Sequence, residues 1–139
     1  MKKTLKYIFP DIVDVIVSLF LVIGINFWFA GCGPKEDGSW MTCHWAEVIV
    51  KTISYILLGL SLIKTALPNR QIRVGLSGGM FAISLLMTLV PGTLIKLCMM
   101  DSMACNSLMK PYTIMFGVIF MVLEFVEITL TLLINRSKK

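Results

Sequence analysis

Four long apolar stretches, separated by short polar segments, dominate the chain. They cover residues 12–30, 45–67, 74–97 and 112–134, lengths of 19, 23, 24 and 23 residues. A helix of about 20 residues crosses the roughly 30 Å of bilayer hydrocarbon, and none of the stretches shows the period-two alternation of a barrel strand. The pattern predicts an all-α integral membrane protein, a four-transmembrane-helix bundle that forms a single domain over residues 1–139.

The composition supports this class. Of the 139 residues, 57% are hydrophobic and 15% are charged, against about 45–50% and about 25% in a soluble domain. We therefore expect the lipid bilayer to be the main surrounding of the chain. The net charge of +5 comes from basic residues on short flanks, so we predict no nucleic-acid partner.

The distribution of basic residues predicts the orientation. The flanks before the first stretch, between the second and third, and after the fourth hold most of them, and such flanks stay in the cytoplasm; they contain Lys2, Lys3, Lys6, Arg70, Arg73, Arg136, Lys138 and Lys139. Both termini are therefore expected to be cytoplasmic and the loops 31–44 and 98–111 extracytoplasmic. The chain reads as two helical hairpins in tandem.

An alternative for the first stretch is a cleaved secretory signal. The segment 29–32 approximates a lipobox, after which Cys32 would carry lipid and three spans would remain. The apolar run is longer than the 7–15 residues or so of a signal core, which favours an uncleaved first helix.

Each predicted outer loop contains two cysteines, namely Cys32 and Cys43 in the first and Cys98 and Cys105 in the second. Because the outer side of the membrane is oxidising, we predict two disulfides, with the connectivity left open. A quinone-linked thiol oxidase of the DsbB type is an alternative, since such enzymes also have four spans and two outer cysteine pairs. The chain lacks the Cys-x-x-Cys spacing that commonly activates a thiol.

Soft metal ligands are concentrated in the same loops. Thioether and thiolate groups favour Cu(I), and histidine also ligates haem iron. An extracytoplasmic copper or haem site is therefore a second alternative, and its candidate ligands are Met41, Cys43, His44, Met103 and Cys105.

Two acidic residues lie within the fourth stretch. Glu124 and Glu127 are three residues apart, hence on one helix face, and intramembrane acids are functional candidates. Their expected partner is Lys64 or a neighbouring subunit; a protonated Glu124 that donates a hydrogen bond is the alternative. Asp14 and Lys64 are expected to reach the inner interface by snorkelling.

The third stretch contains two features that bear on packing. Gly75 and Gly79 form a small-xxx-small face, which allows helices to approach closely in lipid. The Pro91-Gly92 step is expected to kink the helix near its outer end.

The outer loops also carry a resemblance. Met41-Thr42-Cys43-His44 and Met103-Ala104-Cys105 resemble the Met-x-Cys-His and Met-x-Cys motifs of an uncharacterised family of small four-span bacterial membrane proteins, a domain of unknown function. In that family a basic residue often follows the second motif, where this chain has Asn106. Its members are often encoded beside MacB-type ABC transporters.

The resemblance implies the bacterial cytoplasmic membrane as location and ABC transporter permease subunits as partners. With no nucleotide-binding or catalytic motif in the sequence, we predict a non-enzymatic accessory subunit without a cofactor. The transported substrate, the oligomeric state and the functional or structural nature of Glu124 and Glu127 are left open.

Overall fold

The computed structural model describes residues 2–28, 36–40, 42–97 and 105–136. Helices make up nearly all of these ranges, and no β-strand occurs in them. The elements are α1 (Lys2–Phe27), α2 (Thr42–Ala66), α3 (Arg70–Leu89) and α4 (Lys110–Arg136), the last preceded by a π-helical turn over Cys105–Met109.

All four helices are long and apolar enough to cross a membrane. The spans are Phe9–Phe27, Thr42–Ala66, Arg70–Leu89 and Asn106–Ile134. Large apolar side chains point outward; Phe125, for example, is 63% exposed. The four-helix membrane fold is thereby confirmed, whereas the orientation of the termini stays a prediction.

The third helix differs from its predicted span. The predicted span 74–97 with a kink is wrong, since α3 begins at Arg70 and ends at Leu89. Pro91 has no N–H to continue the ladder, and Gly92 has a φ of 96°, a left-handed conformation that glycine adopts at little cost. The Gly92 N–H donates to the Ile95 carbonyl at 3.0 Å, so the chain turns out of the helix.

The first helix also differs from its predicted span. Helix α1 begins at Lys2 instead of residue 12 and ends at Phe27 instead of residue 30. The hydrophobic pattern marks only the part of a helix that meets lipid, whereas backbone hydrogen bonding continues into its polar flank. Pro10 lies inside α1, where it removes one backbone donor.

The helices pack as two hairpins. Helix α1 packs mainly against α2 and α3 mainly against α4, and contacts of α2 with α3 and of α1 with α4 close the bundle. The tandem-hairpin arrangement is confirmed. We call the end where α1 and α3 begin and where α2 and α4 end the inner end; residues 67–69 connect the hairpins there.

The middle and outer parts of the bundle have an apolar core to which every helix contributes. Leu21, Leu57, Met80 and Phe120 are completely buried in it. At Gly117, a β-carbon would overlap the Thr88 side chain and lie 3.2 Å from the Ser84 carbonyl oxygen. Helices α3 and α4 therefore approach closely, and only glycine fits this position without a shift.

Candidate functional site

Lys64 lies at the centre of a buried charge network near the inner end. Its Nζ atom is 2.8 Å from Asp14 Oδ2, 2.9 Å from Glu124 Oε2 and 2.5 Å from Glu127 Oε2. The Lys64 side chain is fully buried. Lys64 is thus confirmed as the partner of both glutamates.

Arg73 is the second cation of the network. Its Nη2 atom donates to Asp11 Oδ2 at 2.5 Å and lies 3.6 Å from Glu127 Oε1. Glu127 therefore contacts both cations and connects the two groups of ion pairs. We call Asp11, Asp14, Lys64, Arg73, Glu124 and Glu127 the charge network.

Helix periodicity explains why these side chains meet. Asp11 and Asp14 are three residues apart on α1, and Glu124 and Glu127 repeat that spacing on α4, so each pair lies on one helix face. The cations stand on α2 and α3. Each hairpin thus contributes one acidic pair and one cation, and Lys64 bonds to the glutamates of the other hairpin while Arg73 bonds to Asp11 of the first.

The expectation that Asp14 and Lys64 snorkel to the interface is wrong. Their residues are 1% and 0% exposed, because three carboxylates inside the bundle hold the Lys64 ammonium. Asp11 was not predicted as a member of the site, and Arg73 was expected only to mark the topology. The signal that identifies Asp11 is its spacing from Asp14, which matches that of the two glutamates.

Several polar atoms of the network have no hydrogen-bond partner. Asp11 Oδ1, Asp14 Oδ1 and Glu124 Oε1 are buried and accept none. The fully buried Ser77 hydroxyl lies beside the Glu124 carboxyl but outside hydrogen-bond geometry. Such unsatisfied groups inside a membrane bundle are costly, and they identify the network as the candidate functional site.

The sequence matches the family described as "Domain of unknown function (DUF4418)" over residues 14–130. The chain belongs to this family. No curated protein and no solved structure matches the chain. Membership confirms the resemblance to an uncharacterised family; the loop motifs and the MacB neighbourhood stay predictions. The matched range of the DUF4418 family includes every member of the charge network except Asp11.

The predicted disulfides of this DUF4418 chain are untested. Cys43 is completely buried at the start of α2. Cys32 and Cys98 and the side chain of Cys105 lie outside the described residues. The pairing of the four cysteines therefore stays a prediction.

The predicted copper or haem ligands fall mostly in the same gaps. Met41, Met103 and the Cys105 side chain lie outside the described residues. The His44 ring stacks on Trp40 with centroids 4.0 Å apart and meets the edge of Trp45 at 5.9 Å. The aromatic contacts hold this imidazole at the outer end, and the metal site stays a prediction.

The glycine face of α3, formed by Gly75, Gly78 and Gly79, lies on the exterior of the bundle. All three residues are exposed, and a β-carbon at any of them would meet no heavy atom within 4 Å. Among the described residues, then, the predicted packing face makes no close helix contact, in contrast to Gly117.

Proposed function

We propose that this protein is a non-enzymatic accessory subunit of a membrane transporter, with a MacB-type ABC permease as its partner in the bacterial cytoplasmic membrane. The observation that carries the proposal is the exposed glycine face of α3. A transmembrane helix of the permease is the occupant that we assign to it.

Glycines at two places in the second hairpin differ in whether a close helix contact offsets their energetic cost. A glycine inside a helix costs about 1 kcal/mol relative to alanine. At Gly117, the close packing of α3 against α4 offsets that cost. The glycine face of α3 has no such contact within the described part of the chain, and glycines three or four residues apart are the usual contact surface between helices in lipid.

The small size of the described connections supports recognition inside the membrane. Only residues 67–69 join α2 to α3, and such a loop is too short to recognise a partner alone. The family resemblance supplies the class of partner, because the related proteins are often encoded beside MacB-type transporters.

Co-purification with the permease tests the proposal. The chain and the MacB-type permease of the same organism are co-expressed and purified in mild detergent. We expect Gly79→Leu to reduce the co-purified permease at least about tenfold, equivalent to about 1.4 kcal/mol. The matched control is Gly59→Leu, since Gly59 on α2 is likewise open to a β-carbon but lies outside the glycine face.

A photo-crosslinking residue at position 82, which is exposed and lies three residues after Gly79 on the same side of α3, identifies the occupant directly. A crosslink to the permease supports the proposal, whereas a crosslink to a second copy of the chain overturns it. A free monomer with no permease attached at native expression overturns it as well.

The absence of a cofactor and of enzymatic activity belongs to the same proposal. Protein purified without chelator and loaded with copper or haem is expected to retain neither, with His44→Ala as the comparison. Dithiol oxidation coupled to quinone reduction is expected to be absent. Retained metal or haem that His44→Ala abolishes, or turnover that Cys43→Ser abolishes, would replace the accessory-subunit proposal with one of the two alternatives.

A further inference from the structure

The formal charges of the network do not balance. Among the side chains that the structure describes, the ion pairs join four carboxylates, Asp11, Asp14, Glu124 and Glu127, to two cations, Lys64 and Arg73, so this set of groups has two negative charges in excess. Every carboxylate residue is at most 8% exposed. Uncompensated charge in such a position is strongly unfavourable, so this set of groups favours the uptake of positive charge.

We propose that the charge network is an intramembrane proton-binding site that holds two protons on its four carboxyl groups. This inference is independent of the proposed transporter partner, because it concerns only groups inside the bundle.

The unused oxygens show where the protons bind. Asp14 and Glu124 each accept a hydrogen bond from Lys64 through one oxygen, and Asp11 accepts one from Arg73. The second oxygen of each of these carboxyls has no hydrogen-bond partner. A proton on that oxygen leaves the other oxygen able to accept its existing hydrogen bond, so a protonated carboxyl keeps its contact with the cation while its own negative charge is removed.

Ser77 places a buried hydroxyl beside the carboxyl groups of the network. It stands four residues after Arg73 and so faces the same way, its residue is completely buried, and its hydroxyl has no partner. The hydroxyl lies beside Glu124. A protonated Glu124 can donate to this hydroxyl oxygen, and the hydroxyl can donate to the ionised carboxylate, so Ser77 can serve as a partner for Glu124 with or without its proton.

A divalent cation would also balance the charge, and the geometry disfavours it. Asp11, Asp14 and Glu127 each offer one oxygen within 4.8 Å of the others, a spacing suited to oxygen-ligated ions. Lys64 and Arg73 already contact all three carboxylates at 2.5–2.8 Å. A metal ion there would lie a few ångströms from two like charges in a low dielectric, where repulsion is strong.

Proton exchange requires contact with the surface of the bundle. The Arg73 and Glu127 side chains are 16% and 10% exposed, whereas Lys64 and Glu124 are completely buried. The network thus reaches the surface near the first turn of α3, at the inner end. Arg70, which is near the network on α3, donates to the Thr131 carbonyl of α4. The Glu47–Lys51 ion pair is separate from the network, because the helix rise places it about 20 Å or more from Lys64 along α2.

Infrared difference spectroscopy of the full chain in lipid tests the proposal. A protonated carboxyl absorbs through its C=O stretch, separate from the carboxylate bands. We expect this acid band in wild-type protein at neutral pH, downshifted by deuteration, and a clear reduction of it in Glu124→Gln. The matched control is Glu47→Gln, which removes a carboxylate outside the network and should leave the acid band unchanged.

The test separates protons from metal ions. Titration with Na⁺, Mg²⁺ or Ca²⁺ in millimolar amounts at constant pH should leave the acid band unchanged. Loss of the band on addition of one ion identifies a cation site and overturns the proposal, as does a wild-type spectrum without the band. Because both of these measurements use the wild-type chain, the test stands even if Glu124→Gln fails to fold.

Discussion

At the inner end, Lys64 and Arg73 join the two hairpins through four carboxylates, whereas in the outer half α3 and α4 are held by close packing at Gly117. The first region depends on a few strong, costly contacts between buried charges. The second depends on complementary helix surfaces, because apolar side chains gain little free energy when contacts with lipid are replaced by contacts with one another. The comparison teaches that a membrane bundle of this size combines charge pairing across hairpins with close packing within them.

The largest expected effect is the loss of the central cation. Lys64→Met leaves three buried carboxylates without their ammonium partner, so we expect the free energy of unfolding to fall by about 3–5 kcal/mol. Denaturant unfolding of the protein in detergent measures this change. Lys51→Met is the control, because its ion pair with Glu47 is partly exposed and should contribute at most about 1 kcal/mol.

Removing acidic partners sharpens the same test. Lys64→Met combined with Glu124→Gln and Glu127→Gln is expected to recover part of the lost stability, since fewer uncompensated charges remain buried. No recovery, together with unchanged stability in Lys64→Met alone, would show that the inner end does not depend on charge pairing.

A smaller loss is expected at the edge of the network. Arg73→Gln removes the donor to Asp11 and the contact with Glu127, which should cost about 1.5–3 kcal/mol. Adding Asp11→Asn should cost little more, because both changes remove the same interaction. Fully additive losses in the double variant would argue against direct coupling of the two side chains.

Adding a single methyl group tests the close packing of α3 and α4 in the outer half. Gly117→Ala places a β-carbon against Thr88 and the Ser84 carbonyl, and such overpacking should cost about 1–3 kcal/mol. Gly79→Ala adds the same methyl group in open space, so its monomer should keep its stability or gain up to about 1 kcal/mol. Equal unfolding free energies for the two variants would contradict the close approach at Gly117.

The smallest expected effect concerns a hydroxyl pair between α1 and α2. The buried Ser18 and Ser61 hydroxyls are 3.2 Å apart, and each also lies within donating distance of a carbonyl of its own helix, Val15 and Leu58. Hydrogen bonds between membrane helices contribute about 0.6 kcal/mol on average. Ser61→Ala should destabilise the protein by about that amount. Ser54→Ala is the control, since the Ser54 hydroxyl donates to Val50 of its own helix; a larger loss in the control would reverse the assignment.

Much of the candidate site was predictable from spacing. The i, i+3 pair Glu124 and Glu127 and their partner Lys64 follow from the rarity of charges within apolar stretches. Asp11 and Arg73 were missed, because each lies near a helix end, where charges normally mark topology. The same spacing on α1 shows in retrospect that Asp11 and Asp14 belong to the network.

The glycines show a case in which a sequence motif does not predict the helix contact. Gly75 and Gly79 carry the recognisable packing motif and yet are open, while Gly117, which has no second glycine three or four residues away, packs against α3. A sequence motif states that a close approach is possible. The rotation of each helix about its axis decides whether a neighbouring helix packs against the motif.

The sequence by itself determined the membrane class, the four spans and the tandem hairpins, because the length and hydrophobicity of each stretch are local properties of the chain. Only the tertiary structure decided the burial of Lys64 and Asp14, the inclusion of Asp11 and Arg73, the contact at Gly117 and the end of α3 at Leu89. Burial and pairing depend on how four helices rotate and slide against one another. Contacts between residues distant in sequence decide this arrangement, such as the Lys64–Glu124 and Arg73–Asp11 pairs, which are 60 and 62 positions apart.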